Sequence, residues 1–256
     1  MSAIAYVVLF LAGAAGGALN SVAGGGSFIV FPTMLLFANI GDVSANATTA
    51  VALWPAGLAS AGAYREFFGR FERRTLIIFC VVAAVGGGLG AKLLLVTSDS
   101  TFAKLLPVLM ITAAGVFTFG PSLTKRLQRD GAAMRLPLVF GAILQLVIST
   151  YGGYFGGGMG IMMLATFTLL GMTHLHEMNA LKTILGLLIN GVALVAFFID
   201  AKVSVGAAIP AAAGSIAGGY LGAALARRVD PKHVRKIVLV VAWSLVAWFS
   251  YRALRK

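Results

Sequence analysis

Apolar residues come in long runs with short polar interruptions. The runs cover 3–22, 27–38, 45–63, 75–96 and 102–120, then, after a basic linker, 136–155, 159–170, 177–199, 203–226 and 236–251. Neither a soluble helix with one wet face nor an alternating strand fits runs that are apolar on every side. In a bilayer only a helix satisfies its own backbone, so every run is expected to be helical. Two of them, 27–38 and 159–170, are too short to span comfortably at ~1.5 Å per residue against a ~30 Å hydrocarbon core.

Composition sharpens this picture. Hydrophobic residues form 59% of the 256 positions and charged residues only 11%, with a mean hydropathy of +0.95. So little polar material leaves the bilayer as the solvent for most side chains. The net charge of +12 sits in a few short loops, the distribution that orients membrane proteins, and no nucleic-acid partner is expected. Cys80 is the single cysteine, so no intramolecular disulfide can form. Residues 3–19 look like a signal peptide in hydropathy alone. No Lys or Arg precedes them, and the first basic residue is Arg65, so they read as a mature membrane segment.

The runs form a pattern of five, repeated. Gly24-Gly25-Gly26 returns as Gly156-Gly157-Gly158, 132 positions later. Gly86-Gly87 returns as Gly218-Gly219, Gly90-Ala91 as Gly222-Ala223 and Lys104 as Lys236 at the same offset, and Asn46-Ala47 as Asn179-Ala180 one residue further on. The expected units are 1–127 and 134–256, with the boundary near Gln128–Met134. Charge gives their relative orientation. Loop 64–74 carries Arg65, Arg70, Arg73 and Arg74, whereas its counterpart Asp200-Ala201-Lys202 is nearly neutral. Loop 97–100 holds only Asp99, whereas its counterpart carries Arg227, Arg228, Lys232, Arg235 and Lys236. A basic loop that swaps between equivalent positions is what the positive-inside rule gives for an upside-down second copy.

The expected architecture is therefore an all-α integral membrane protein of eight to ten membrane segments. It consists of two inverted repeats of about five helical segments, each with a glycine-broken or hairpin helix. Loops 64–74, 121–135 and 227–236 then face the cytoplasm. Both termini come out external, against the charge of Arg252, Arg255 and Lys256; either the last helix stops short of crossing or this tail is an exception. If each broken segment spans only once, the count is eight and the repeats are parallel, which the charge swap opposes.

Candidate chemistry gathers at the glycine triplets. Three glycines in an apolar run lower helix propensity by ~1 kcal/mol each, so the helix should break there. The new helix N-terminus favours an anion. Two such half-helix termini near the midplane suit a small anionic solute; close packing through small residues is the bland alternative and explains Gly86-Gly87 and Gly218-Gly219 better than the triplets. The expected solute-binding residues are Gly24, Gly25, Gly26, Ser27, Asn46, Thr49, Gly156, Gly157, Gly158, Met159, Asn179 and Lys182. Asn46 and Thr49 offer neutral hydrogen bonds. Lys182 is a full charge that membranes tolerate mainly for function, with snorkelling to the interface as the alternative. His174, His176 and Glu177 are a weak metal or proton-relay signal and read first as an interfacial loop; Asn190 and Tyr64 carry similar doubt. Trp248, Tyr251 and Arg252 read as interfacial anchors. No HExxH, GxSxG, spaced cysteine cluster or P-loop is present, so no enzyme, metal, cofactor or ATPase is expected.

The motifs from Phe155 to Ile161, Gly171 to His174 and Asn179 to Thr183, with Ala23 to Pro32 and Asn46 to Thr49 in the first half, resemble the TauE/SafE family of sulfite and organosulfonate exporters. The resemblance covers most of the chain as a pattern of small and apolar residues. It implies a multi-pass permease of the bacterial inner membrane that exports sulfite, sulfoacetate or related organosulfonates, with a homodimer as one expected assembly. Lys182 departs from the pattern: it stands where the family usually shows a small hydroxyl residue, as Thr49 does in the first half. An anion channel and a non-transporting assembly factor are the competing readings, separable by single-channel currents and by a total lack of flux.

Overall fold

The computed structural model describes residues 1–22, 25–63, 65–129, 137–225 and 231–254. Among these residues there are ten α-helices and no strand. The first five are α1 (Ala3–Val22), α2 (Ser27–Phe37), α3 (Asp42–Ala63), α4 (Arg73–Val96) and α5 (Asp99–Arg129). The second five are α6 (Leu138–Tyr154), α7 (Met159–Leu169), α8 (Leu175–Ile199), α9 (Val205–Leu225) and α10 (Pro231–Leu254), and a 3-10 segment, Arg65–Arg70, joins α3 to α4. Every expected apolar run is a helix.

The largest departure is α5. Residues 121–129 were expected to belong to a basic loop, yet they continue the helix. Leu, Lys, Arg and Gln are good helix formers, and Pro121 removes only one internal bond. The basic residues after Ala226 shift in the same way: α10 begins at Pro231, a favoured first helical position, so Lys232, Arg235 and Lys236 lie on a helix. Arg227 and Arg228, like most of the linker between the expected units, fall outside the described residues.

The surface is that of a membrane protein. Ile4, Val96 and Ile199 are 71%, 73% and 77% exposed, which lipid accommodates and water penalises. Among the described residues, five helices (α1, α4, α5, α8 and α9) contain a stretch long and apolar enough to cross a bilayer.

Glycines set how the helices approach. On α9, Gly214 and Gly218 lie against the backbone of Phe10 and Ala14 on α1, and on α1 Gly13 and Gly17 lie against Ala211 and Ser215. On α4, Gly86 and Gly90 lie against the Leu146 and Thr150 carbonyls of α6. The contact between Gly86 and Leu146 thus has a counterpart between Gly218 and Ala14 at the 132-residue offset. Gly87 against Ile189 is matched by Gly219 against Ala56, at offsets of 132 for the glycines and 133 for their partners. Small residues let these backbones touch, the usual basis of helix association in lipid, and each of these contacts joins one half of the chain to the other.

The short helices double back. Gly141, early in α6, packs against Leu170 just beyond α7, while Gly152 packs against Met159 at the α7 start, so α6 and α7 form a hairpin. Similarly, Gly16 of α1 packs against Val30 of α2.

The ends of the bundle are also defined. At one end the Val43 amide donates to Asp99 Oδ1 at 2.8 Å, the Ser204 amide donates to Thr48 Oγ1 at 3.0 Å, and Arg252 pairs with Asp42 at 3.8 Å. The end of α10 therefore reaches the acidic end of the bundle, where Arg252 meets a carboxylate. At the opposite end Arg70 pairs with Glu177 at 3.5 Å, and Phe67 stacks on His176.

Candidate functional site

Both glycine triplets break the helix, as their composition requires. Gly25 has φ +89°, and Gly156 and Gly158 have +81° and +79°, a backbone region that strains any residue with a Cβ. The breaks lie at mid-depth. Phe28 packs edge-on to Phe117 with centroids 6.1 Å apart, and Gly158 lies against Ala113; both partners sit near the middle of α5. Phe31 of α2 meets Phe155 at 6.2 Å, so the two breaks flank one stretch of α5.

Their hydrogen bonding differs. In the first break the Gly26 amide donates to Asn20 Oδ1 at 2.9 Å, and the amides of Phe28, Ile29 and Val30 reach the carbonyls of Gly25 and Gly26. In the second break the Phe155 and Gly156 amides return to the Tyr151 carbonyl. The amides of Gly157, Gly158 and Gly160 donate to no described group, and Gly157 and Gly158 are buried. Left-handed Gly158 (φ +79°, ψ −4°) precedes right-handed Met159, an alternation that turns neighbouring N–H groups into one concavity, a backbone nest suited to an anion. The α7 dipole adds partial positive charge there.

Lys182 reaches this turn from α8. Its stem crosses Gly160 so closely that an added Cβ would stand 3.2 Å from Cδ. Its ammonium donates to Asn179 Oδ1 at 2.8 Å. Met159 lies in the α6–α8 crevice, with Cε 3.7 Å from where a Cβ of Gly186 would stand. Asn46 crosses from the first half: its Nδ2 donates to the Tyr154 carbonyl at 2.9 Å, on the last turn before the second break. Gly156, Gly157, Gly158, Met159, Asn179, Lys182 and Asn46 thus gather around one break. Gly25, Gly26 and Ser27 form the other, and Gly24 falls outside the described residues. Thr49 is buried with its hydroxyl donated to the Ala45 carbonyl of its own turn.

The weaker candidates are placed elsewhere. Asn190 donates to the Gly186 carbonyl of its own helix at 3.0 Å. His176 and Glu177 are engaged by the 3-10 segment, and Tyr64 is outside the described residues. No group of three His, Cys, Asp or Glu side chains among the described residues converges to hold a metal.

Sequence reasoning missed three polar groups. Tyr151 donates its hydroxyl to the Gly157 carbonyl at 2.7 Å. Asn20 caps the first break, and its signal was a lone amide at the end of an apolar run. Trp54 Nε1 donates to the Leu187 carbonyl at 3.0 Å where α3 crosses α8; its equivalent at the 133-residue offset that relates Asn46 to Asn179 is Leu187 itself.

A family model described as sulfite exporter TauE/SafE matches residues 9–249, nearly the whole chain. The chain belongs to the TauE/SafE family. Similar relatives are a "Probable membrane transporter protein" of Haemophilus influenzae, 25% identical over 95% of this chain and 94% of its own, and the "Probable membrane transporter protein YfcA" of Escherichia coli K12, 26% identical over 95% and 89%. A third, the "Probable membrane transporter protein ORF9" of a Sinorhizobium species, is 30% identical over 68% and 63%. No solved structure matches. As a TauE/SafE member the chain is a multi-pass membrane transporter and not an enzyme, and the resemblance read from the glycine motifs holds over both halves.

Proposed function

We propose that this transporter exports small sulfur-containing anions, such as sulfite, sulfoacetate or related organosulfonates, across the bacterial inner membrane by alternating access between two inverted halves. The observation that carries the reading is the turn at Gly157–Gly160, whose Gly157, Gly158 and Gly160 amides donate to no described group and whose Gly160 lies against the Lys182 stem. Open amides and a lysine side chain in an apolar bundle favour an anion over a cation. The family's printed description supplies sulfite as the substrate class.

Energetics agree with export. A monoanion leaving a cell with a negative interior gains ~2.3 kcal/mol per 100 mV, so facilitated exit needs no ATP. The interlocking pairs α1 with α9 and α4 with α6 give each half a rigid face against the other, and the matched glycine contacts support a pseudo-two-fold relation between units 1–127 and 134–256.

A thermal-shift series on the purified protein tests the binding step. A ligand that binds the folded state at 100 times its Kd adds ~2.7 kcal/mol of apparent stability. Sulfite or a sulfonate is expected to raise the Tm of the wild type and to raise that of Lys182→Ala much less. Equal indifference of both proteins to sulfite, sulfoacetate, taurine, sulfate and thiosulfate would overturn the assignment.

A further inference from the structure

We infer that Tyr151 is a positioning residue that sets the anion affinity of the second-half break; the inference rests on the function proposed above. Tyr151 holds the loop from both sides. Its backbone carbonyl accepts the amides of Phe155 at 2.8 Å and Gly156 at 3.2 Å. Its hydroxyl reaches six residues along to donate to the Gly157 carbonyl at 2.7 Å. A peptide unit is planar and trans, so the carbonyl of one residue and the N–H of the next point in opposite directions. Fixing the Gly157 carbonyl toward Tyr151 therefore aims the Gly158 N–H away from α6, as part of the nest.

Without the hydroxyl nothing else described holds that peptide plane. The flanking residues are glycines, whose backbones rotate at low cost. The Gly157 carbonyl accepts no other described hydrogen bond, so a flipped plane would present a carbonyl oxygen to the anion in place of an N–H. The first half has Leu19 at the position equivalent to Tyr151, and there the Asn20 side chain accepts the Gly26 amide. The two breaks thus use their local polar residue in opposite senses. Asn20 consumes a donor, whereas Tyr151 consumes an acceptor and leaves the donors open.

Tyr151→Phe isolates the hydroxyl, because the ring keeps its edge contact with Phe155 at 6.2 Å. The protein is reconstituted in lipid vesicles and the initial rate of sulfite flux is measured against sulfite concentration for wild type, Tyr151→Phe and Lys182→Ala. The expected result for Tyr151→Phe is a KM raised about fivefold, the scale of one net hydrogen bond, with the maximal rate within a factor of two and a Tm without ligand lowered by no more than the loss of one hydrogen bond accounts for. A merely structural role would instead lower the Tm and the maximal rate together. A KM equal to wild type in Tyr151→Phe, with Lys182→Ala impaired, overturns the role of Tyr151 alone. Absence of sulfite flux in the wild type removes the transported anion and the positioning role with it.

Discussion

Lys182 and Asn20 show how single side chains make the two breaks unequal. Each stands beside a helix start in a glycine-broken hairpin. Asn20 closes its start by accepting the Gly26 amide, while Lys182 brings positive charge to a turn whose Gly157, Gly158 and Gly160 amides donate to no described group. Removing the charge and removing the cap should therefore have opposite signatures. Lys182→Ala is expected to raise the KM for sulfite about tenfold or more, on the scale of a lost charge-assisted contact, with little loss of stability. Asn20→Ala is expected to cost about 1 kcal/mol of stability and to leave the KM near its wild-type value. Sulfite-dependent flux and melting curves on the two variants check both. Lys182 was legible in the sequence because a charge in an apolar run is conspicuous, and its inequality with Thr49 followed from the repeat. The role of Thr49 was not legible: β-branched hydroxyl residues in helices bond their own preceding turn, and Thr49 does so.

At the level of helices, hydropathy located all ten because lipid forces the backbone into them. Their ends were harder where the chain leaves the membrane. The extension of α5 to Arg129 depends on helix propensity in a polar stretch, which an apolar run cannot signal. The glycine pairs on α4 and α9 were read as packing elements, and they pack. Adding a side chain at Gly218 would drive it into the backbone of Ala14, where no rotamer change can help. Gly218→Val is expected to destabilise the protein by at least ~1–3 kcal/mol and to depress expression. Gly115 on α5 has open space around it, so Gly115→Ala is expected to stabilise by ~0.5–1 kcal/mol through helix propensity alone. A pair of melting curves in detergent separates the two, and equal effects would contradict the packing account.

Across the whole molecule, the repeat was visible as an offset in glycines, whereas the interlocking of its copies needed three dimensions. No sequence pattern says that α1 lies on α9 or that α3 crosses α8 at Trp54. Among the described residues, two ion pairs bridge the halves at opposite ends: Arg70 with Glu177 at the basic end and Asp42 with Arg252 at the acidic end. Exposed pairs are worth ~0–1 kcal/mol, enough to bias two alternating states by up to about fivefold. Breaking the first pair with Glu177→Arg is expected to favour opening at the basic end and to lower the apparent KM for sulfite supplied from that side by up to about fivefold. Combining it with Arg70→Glu should restore the wild-type value. A double variant no closer to wild type than Glu177→Arg would show that the pair does not gate.

The proposed path of the sulfur oxyanion through this TauE/SafE member is the break at Gly156–Gly158. The most direct measurement is the initial rate of sulfite release from loaded lipid vesicles under an imposed potential, with wild type and Gly157→Leu in parallel. Saturable release is expected for the wild type, faster when the interior is negative, and release near the protein-free rate for Gly157→Leu even where the variant is correctly folded. Sulfite release by the wild type no faster than from protein-free vesicles, or undiminished release by folded Gly157→Leu, would contradict it.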